Sequence, residues 1–82
     1  MSKWTVYIVQ CSDNSLYTGI TTDVNRRITQ HNNGTGAKYT RSRKPVKLVY
    51  TESVADRSSA LKREHSIKSL TRQQKLALIN SD

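Results

Sequence analysis

Trp4-Thr5-Val6-Tyr7-Ile8-Val9-Gln10-Cys11, interrupted at Ser12-Asp13-Asn14-Ser15 and resumed as Leu16-Tyr17-Thr18-Gly19-Ile20-Thr21, is the stretch on which the fold turns. β-Branched and aromatic side chains suit the pleated, half-buried surface of a strand, whereas Ser, Asp and Asn bond to nearby backbone and favour turns. The two runs therefore predict an antiparallel hairpin with a short loop. Each strand carries a tyrosine, Tyr7 and Tyr17. Side chains alternate between the faces of a sheet, so the two phenols share a face only if paired residue numbers sum to an even value. Closing Gln10 against Asn14, or Cys11 against Ser15, meets that condition, and closing Cys11 against Leu16 does not.

Beyond the hairpin, Asp23 is placed to cap a helix running to about Asn33, which Gly34 and Gly36 end. Residues 34–45 read as a basic loop, and 46–52 as a third strand following Pro45, which pushes its predecessor toward extended geometry. Asp56 or Ser53 caps a helix to about Ser69, and Thr71 caps a last one over 72–79. The order ββαβαα predicts an α+β fold, a three-stranded antiparallel-rich sheet flanked by helices. A chain of 82 residues holds one domain with one modest core, here the whole of 1–82.

The charge balance narrows the partners. With 14 Lys and Arg against 6 Asp and Glu, a net charge of +8 favours a polyanion through release of phosphate counterions. DNA, RNA, a ribosomal surface and an anionic membrane all fit. No apolar run approaches the roughly 20 residues of a spanning helix, and no signal-peptide apolar region follows the amino terminus, so no membrane is expected and the cytoplasm is the default. The single Cys11 has no internal disulfide partner and no neighbours of zinc-ligand type, and reads as a packing residue.

Polar groups fall close to the apolar faces of two helices. Val24 and Ile28 define the apolar side of the first, with Arg27 and His31 bordering it. A solvated face of a basic protein would look the same. Ala60, Leu61 and Ile67 form the apolar side of the next, and Glu64 lies between them in angle, a costly place for a carboxylate unless it is paired or bound to a cation. The plain alternative is an edge position paired with Lys68 at i+4. His65 points about 100° away from Glu64 and reads as a surface residue. Either tyrosine alone is most simply a half-buried packing residue.

Taken together, Tyr7 in a Val-Tyr strand, Tyr17-Thr18-Gly19, Arg27, His31 and the later Glu64 resemble, in order and spacing, the GIY-YIG endonuclease domain. The likeness covers nearly the whole chain. It is similar above all to the small standalone bacterial YhbQ-like members, in Cys11-Ser12-Asp13, Tyr17-Thr18-Gly19-Ile20, Gly36-Ala37-Lys38-Tyr39-Thr40, Pro45-Val46 and Arg63-Glu64. The resemblance implies hydrolysis of a phosphodiester bond with one divalent cation, Mg²⁺ or Mn²⁺, held by Glu64. It makes Tyr7 the general base or the group that aligns the water, with Tyr17 sharing in proton transfer. Arg27 would neutralise the phosphate charge, and His31 would hold or relay the tyrosine proton. A phenol of pKa about 10 is a poor base at neutral pH, so these roles ask Arg27 and the metal to lower that value. The sequence departs from the family pattern at Thr5, where the first motif has glycine, at Thr18 for the middle isoleucine of the second, and at Ile20, a position often basic. Asn80 is a candidate for an asparagine that is functional in some members.

Lys38, Arg41, Arg43, Lys44 and Lys47 fall close together with no acid between them and with Tyr39 interleaved, a pattern suited to backbone phosphates and a stacked base or sugar. A solvated, mobile loop is the alternative. No base-reading module is present, so any specificity is expected for shape. The expected function is a metal-dependent DNA endonuclease, structure-directed or weakly sequence-specific, in DNA repair or recombination, with RNA as a further substrate class and a protein partner as a source of specificity. A non-catalytic nucleic-acid-binding module and a basic protein-interaction domain are the alternatives.

Overall fold

The computed structural model describes residues 3–81. Strand β1 (Trp4–Gln10) pairs antiparallel with β2 (Leu16–Thr21) along one edge and with β3 (Lys47–Val54) along the other, giving the sheet order β2-β1-β3. Thr5 faces Thr21, Tyr7 faces Gly19 and Val9 faces Tyr17. These sums are even, and the loop closes as Cys11 N–H donates to Ser15 O at 2.8 Å. Asn14 adopts the positive φ of 68° within this turn, a conformation that Asn tolerates better than most residues. Asp13 fixes the turn's far side by accepting from Ser15 N at 3.0 Å and from Ser15 Oγ at 2.5 Å.

The helices begin where side chains can satisfy their free N–H groups. Asp23 accepts from Arg26 N at 3.1 Å to start α1 (Val24–Asn32). After α1 comes a single turn, α2 (Lys38–Arg41), inside the stretch expected to be a loop. Ala37 at its N-cap supplies no side-chain bond, so nothing local announces it. Asp56 accepts from Ser59 N at 2.7 Å to start α3 (Arg57–Lys68), and Thr71 with Gln74 forms a capping box ahead of α4 (Arg72–Asn80). Among the described residues no helix is long and apolar enough to cross a membrane.

β1 is central in the sheet and is also covered on both faces. Val6 and Ile8 pack with Ala60 and Ile67 of α3, and with Leu16, Ile20, Tyr50, Leu78 and Ile79 around them. On the opposite face Tyr7, Val9, Cys11 and Val46 pack with Tyr17, Val24, Ile28 and Leu48. This two-sided burial explains why β1 reads as a continuous apolar run rather than an alternating one. A bulge in β3 sets Tyr50 against Ile8 but Leu48 against Val9, leaving Val49 as the extra residue. One expectation for α3 is corrected. Leu61 is 41 % exposed, since it lies about 100° around the helix from buried Ala60, and the apolar stripe is Ala60 and Ile67 alone.

Candidate active site

Tyr7 and Tyr17 share the sheet face that α1 covers, and the backbone between them is shaped around the first phenol. A Cβ on Gly19 would lie 2.5 Å from Tyr7 Oη and 2.7 Å from its Cζ, so only glycine lets that ring lie across β2. Helix α1 lowers His31 onto the same ring. His31 has 0 % exposure, deeper than the border position its sequence spacing predicts, and its Nε2 is 2.8 Å from Tyr7 Oη. Its Nδ1 is 2.7 Å from Oγ1 of buried Thr40, which in turn donates to Ala37 O at 3.0 Å.

Two glycines after α1 have different reasons. Gly34 takes a φ of 81°, and its N–H donates to His31 O at 3.2 Å, closing the helix. Gly36 is needed for space, because a Cβ there would meet His31 Nδ1 at 2.5 Å. Asn32 then anchors the far end of the loop, accepting from Val46 N at 2.7 Å and donating to Val46 O at 3.3 Å.

Burial pushes the Tyr7 phenol above its ordinary pKa, while the nearby Arg27 guanidinium pulls it down and Tyr17 and Glu64 push it up again. Arg27 thus acts in the sense the sequence reading asks for, but desolvation outweighs it. His31 is held below the ordinary imidazole range, first by burial and then by the Arg27 charge. Tyr7 and His31 therefore rest as a neutral pair.

The remaining groups surround that pair. Arg27 is half-buried and donates from Nη1 to Gln30 Oε1 at 3.0 Å. The Tyr17 ring meets His31 edge-on at 5.5 Å between centroids and stacks on Tyr39 at 5.7 Å. Glu64, with its side chain 19 % exposed, pairs with Lys68 Nζ at 3.4 Å, and that ammonium also lies 5.9 Å from the Tyr17 ring centre. The i+4 ion pair is present, and the Glu64 charge still reaches the Tyr7 phenol and raises its pKa. Among the described residues no three His, Cys, Asp or Glu gather as a metal cluster. A lone carboxylate still suits an ion that keeps most of its waters.

Of the basic loop, Lys38, Arg41, Lys44 and Lys47 are exposed. Arg43 is engaged, with Nε 3.0 Å from Asp13 Oδ2, Nη1 donating to Tyr39 O at 2.8 Å, and its guanidinium carbon 4.0 Å above the Tyr39 ring. It binds the hairpin turn to the loop, helped by Ser12 N–H donating to Arg43 O at 2.9 Å. His65 and Asn80 are exposed, and Cys11 is buried, with desolvation raising its thiol pKa.

Residues 3–77 match the GIY-YIG catalytic domain. The chain belongs to the GIY-YIG family. Membership makes this a nuclease-type domain. A UPF0213 protein of Staphylococcus epidermidis is 61% identical over 79 residues, 96% of either chain. One from Haloquadratum walsbyi is 64% identical over 73 residues, 89% of this chain and 82% of its own. The solution NMR structure of a UPF0213 protein from Bacillus halodurans superposes with a TM-score of 0.60 at 47% identity, covering 96% of this chain and 83% of that one. A protein from E. faecalis, also solved by NMR, gives 0.62 at 44% identity, covering 95% and 88%.

Within this GIY-YIG domain, Thr18 points away from the tyrosines, opposite Ile8, and is buried. Its Oγ1 has no hydrogen-bond partner among the described residues, so the hydroxyl that replaces isoleucine sits in the core at a cost. Three residues that the fold places against the site carry no site assignment from sequence: Thr40 and Gly36, which lie against His31, and Lys68, which lies near the Tyr17 ring. Lys68 carries a readable signal in its spacing from Glu64. Thr40 carries none of its own, because its role depends on His31 nine residues earlier.

Proposed function

We propose that the protein is a divalent-metal-dependent DNA endonuclease that hydrolyses a phosphodiester bond, structure-directed or weakly sequence-specific, acting in repair or recombination in the cytoplasm. The observation that carries this reading is the 2.8 Å contact between Tyr7 Oη and His31 Nε2 in a buried, neutral pair. A protonated phenol cannot act as a base by itself, but it can pass a proton along. A water proton goes to Tyr7 Oη as the phenol's own proton goes to Nε2. The resulting hydroxide attacks phosphorus, and the 3′ oxygen leaves. Arg27 offsets the charge gathering on the phosphate oxygens, and Tyr17 steadies the attacking water. Glu64 would hold a single Mg²⁺ or Mn²⁺, which when bound polarises the phosphate and stabilises the leaving oxygen.

Exposed Lys38, Arg41, Lys44 and Lys47 supply the grip, with Tyr39 and Arg43 as a fixed wall beside Tyr17. Phosphate contacts position a strand without reading its bases, so recognition is of shape or is supplied by a protein partner. RNA presents the same phosphates.

The test is nicking of supercoiled, branched and single-stranded DNA with and without Mg²⁺, beside Glu64→Ala and Tyr17→Phe. Binding is expected to survive in both variants while cleavage falls by about 10²-fold or more. Cleavage that ignores metal or both substitutions overturns the proposal. Binding with no cleavage in the unaltered protein leaves the non-catalytic nucleic-acid module in its place.

A further inference from the structure

We propose that Thr40 is a positioning residue that fixes the tautomer of His31, leaving Nε2 bare and turning the Tyr7 phenol hydrogen toward the imidazole. The argument is a count of hydrogens. A threonine hydroxyl has one, and a carbonyl oxygen has none. Thr40 Oγ1 lies 3.0 Å from Ala37 O and 2.7 Å from His31 Nδ1. If its hydrogen went to Nδ1, two oxygens would face each other at 3.0 Å with only lone pairs between them, at a residue with 0 % exposure. The hydrogen therefore goes to Ala37 O. Thr40 must then accept, so Nδ1 carries the proton. A neutral imidazole has one N–H, so Nε2 is bare, and its 2.8 Å contact with Tyr7 Oη is a bond in which the phenol donates.

One orientation thus runs through four groups, from Tyr7 to His31 to Thr40 to the Ala37 carbonyl. Gly36 closes the pocket, because any side chain there would strike Nδ1. The catalytic meaning rests on the endonuclease reading: with its hydrogen directed inward, Tyr7 turns a lone pair toward the water it is to deprotonate. The tautomer itself does not depend on that reading. A group that orients a catalytic imidazole without touching substrate is familiar from hydrolytic triads, where the orienting group is a carboxylate. Here a neutral hydroxyl does so, and the imidazolium formed on proton transfer gains no counter-charge from it.

The experiment is ¹⁵N NMR of the His31 ring in the unaltered protein, Thr40→Val and Thr40→Ser, at a pH where the ring is neutral, with nicking kinetics on the same samples. Expected are a protonated Nδ1 in the unaltered protein and in Thr40→Ser, and loss of that single tautomer in Thr40→Val. With it, kcat falls by ~10-fold or more while KM stays within about twofold. A proton on Nε2 in the unaltered protein, or an unchanged tautomer in Thr40→Val, overturns the proposal. Should Thr40→Val fail to fold, the other two spectra decide alone: Nδ1–H in both supports it, and Nε2–H in either sinks it. If no DNA is nicked by any sample, the endonuclease reading fails while the spectra still test the tautomer.

Discussion

Tyr7 and His31 come from separate elements, β1 and α1, and both side chains are buried, Tyr7 keeping 1 % exposure and His31 none. Their pairing has a consequence for pH. Burial and Arg27 disfavour the charged imidazole, so His31 stays neutral at pH values where an ordinary histidine would be half protonated. Cleavage through the relay requires the neutral ring. The acid limb of the kcat/KM profile is therefore expected below about 6.5, the ordinary histidine value, and a limb at or above it would remove His31 as the proton acceptor. By the same sign, the unfolded chain binds more protons at this residue as pH drops through that value, and His31 lowers stability there. At this scale the sequence was partly legible. The residue types and their order pointed to Tyr7, Tyr17, Arg27, His31 and Glu64. The depth of His31 did not show, because it depends on Gly36 and Thr40 folding back over it.

Elements were legible where a side chain satisfies a backbone donor. Asp23, Asp56 and Thr71 each sit ahead of a helix and each accept from a first-turn N–H, as their positions predict. Helix α2 escaped because its reason for existing lies outside it, in the tertiary bond between Thr40 and His31. The face of α3 was read too broadly for a related reason: an apolar residue one position from the stripe looks like part of it until the sheet is in place. That helix also sets a competition. Lys68 shares one turn with Glu64 and lies against its carboxylate at 3.4 Å, so a divalent ion held by Glu64, as proposed, would have to weaken or displace this pair. Lys68→Met is expected to tighten Mn²⁺ binding, measured by calorimetry without substrate, by up to about fivefold, matching a partly exposed pair of about 1 kcal/mol. Unchanged or weaker binding would mean that the ammonium does not oppose the ion.

At the scale of the molecule, charge is the property sequence conveyed most directly, and its connections were the least visible. Arg43, counted with the phosphate-binding residues from sequence, is tied to Asp13 thirty positions away, and no local pattern encodes that pairing. Among the described residues, Lys38, Arg41, Lys44 and Lys47 form no such ion pair. For duplex DNA, the slope of log affinity against log salt should lessen by about 0.9 for each of Lys38, Arg41, Lys44 and Lys47 that touches a phosphate, when it is changed to Gln. An unchanged slope in the combined variant would move the binding surface elsewhere.

Strand β1, packed on both faces and hydrogen-bonded along both edges, would under the proposed function divide the labour of fitting a substrate unevenly. Regions held this way are the last to open in a small domain. Tyr7 thus belongs to the least yielding part of the protein, and cannot shift to meet a badly seated strand. Under the proposed function, adaptation to differently shaped nucleic acids falls to the exposed side chains of Lys38, Arg41, Lys44 and Lys47, while the reacting geometry stays constant. On that reading, tolerance of substrate and invariance of chemistry belong to different side chains of a single short chain.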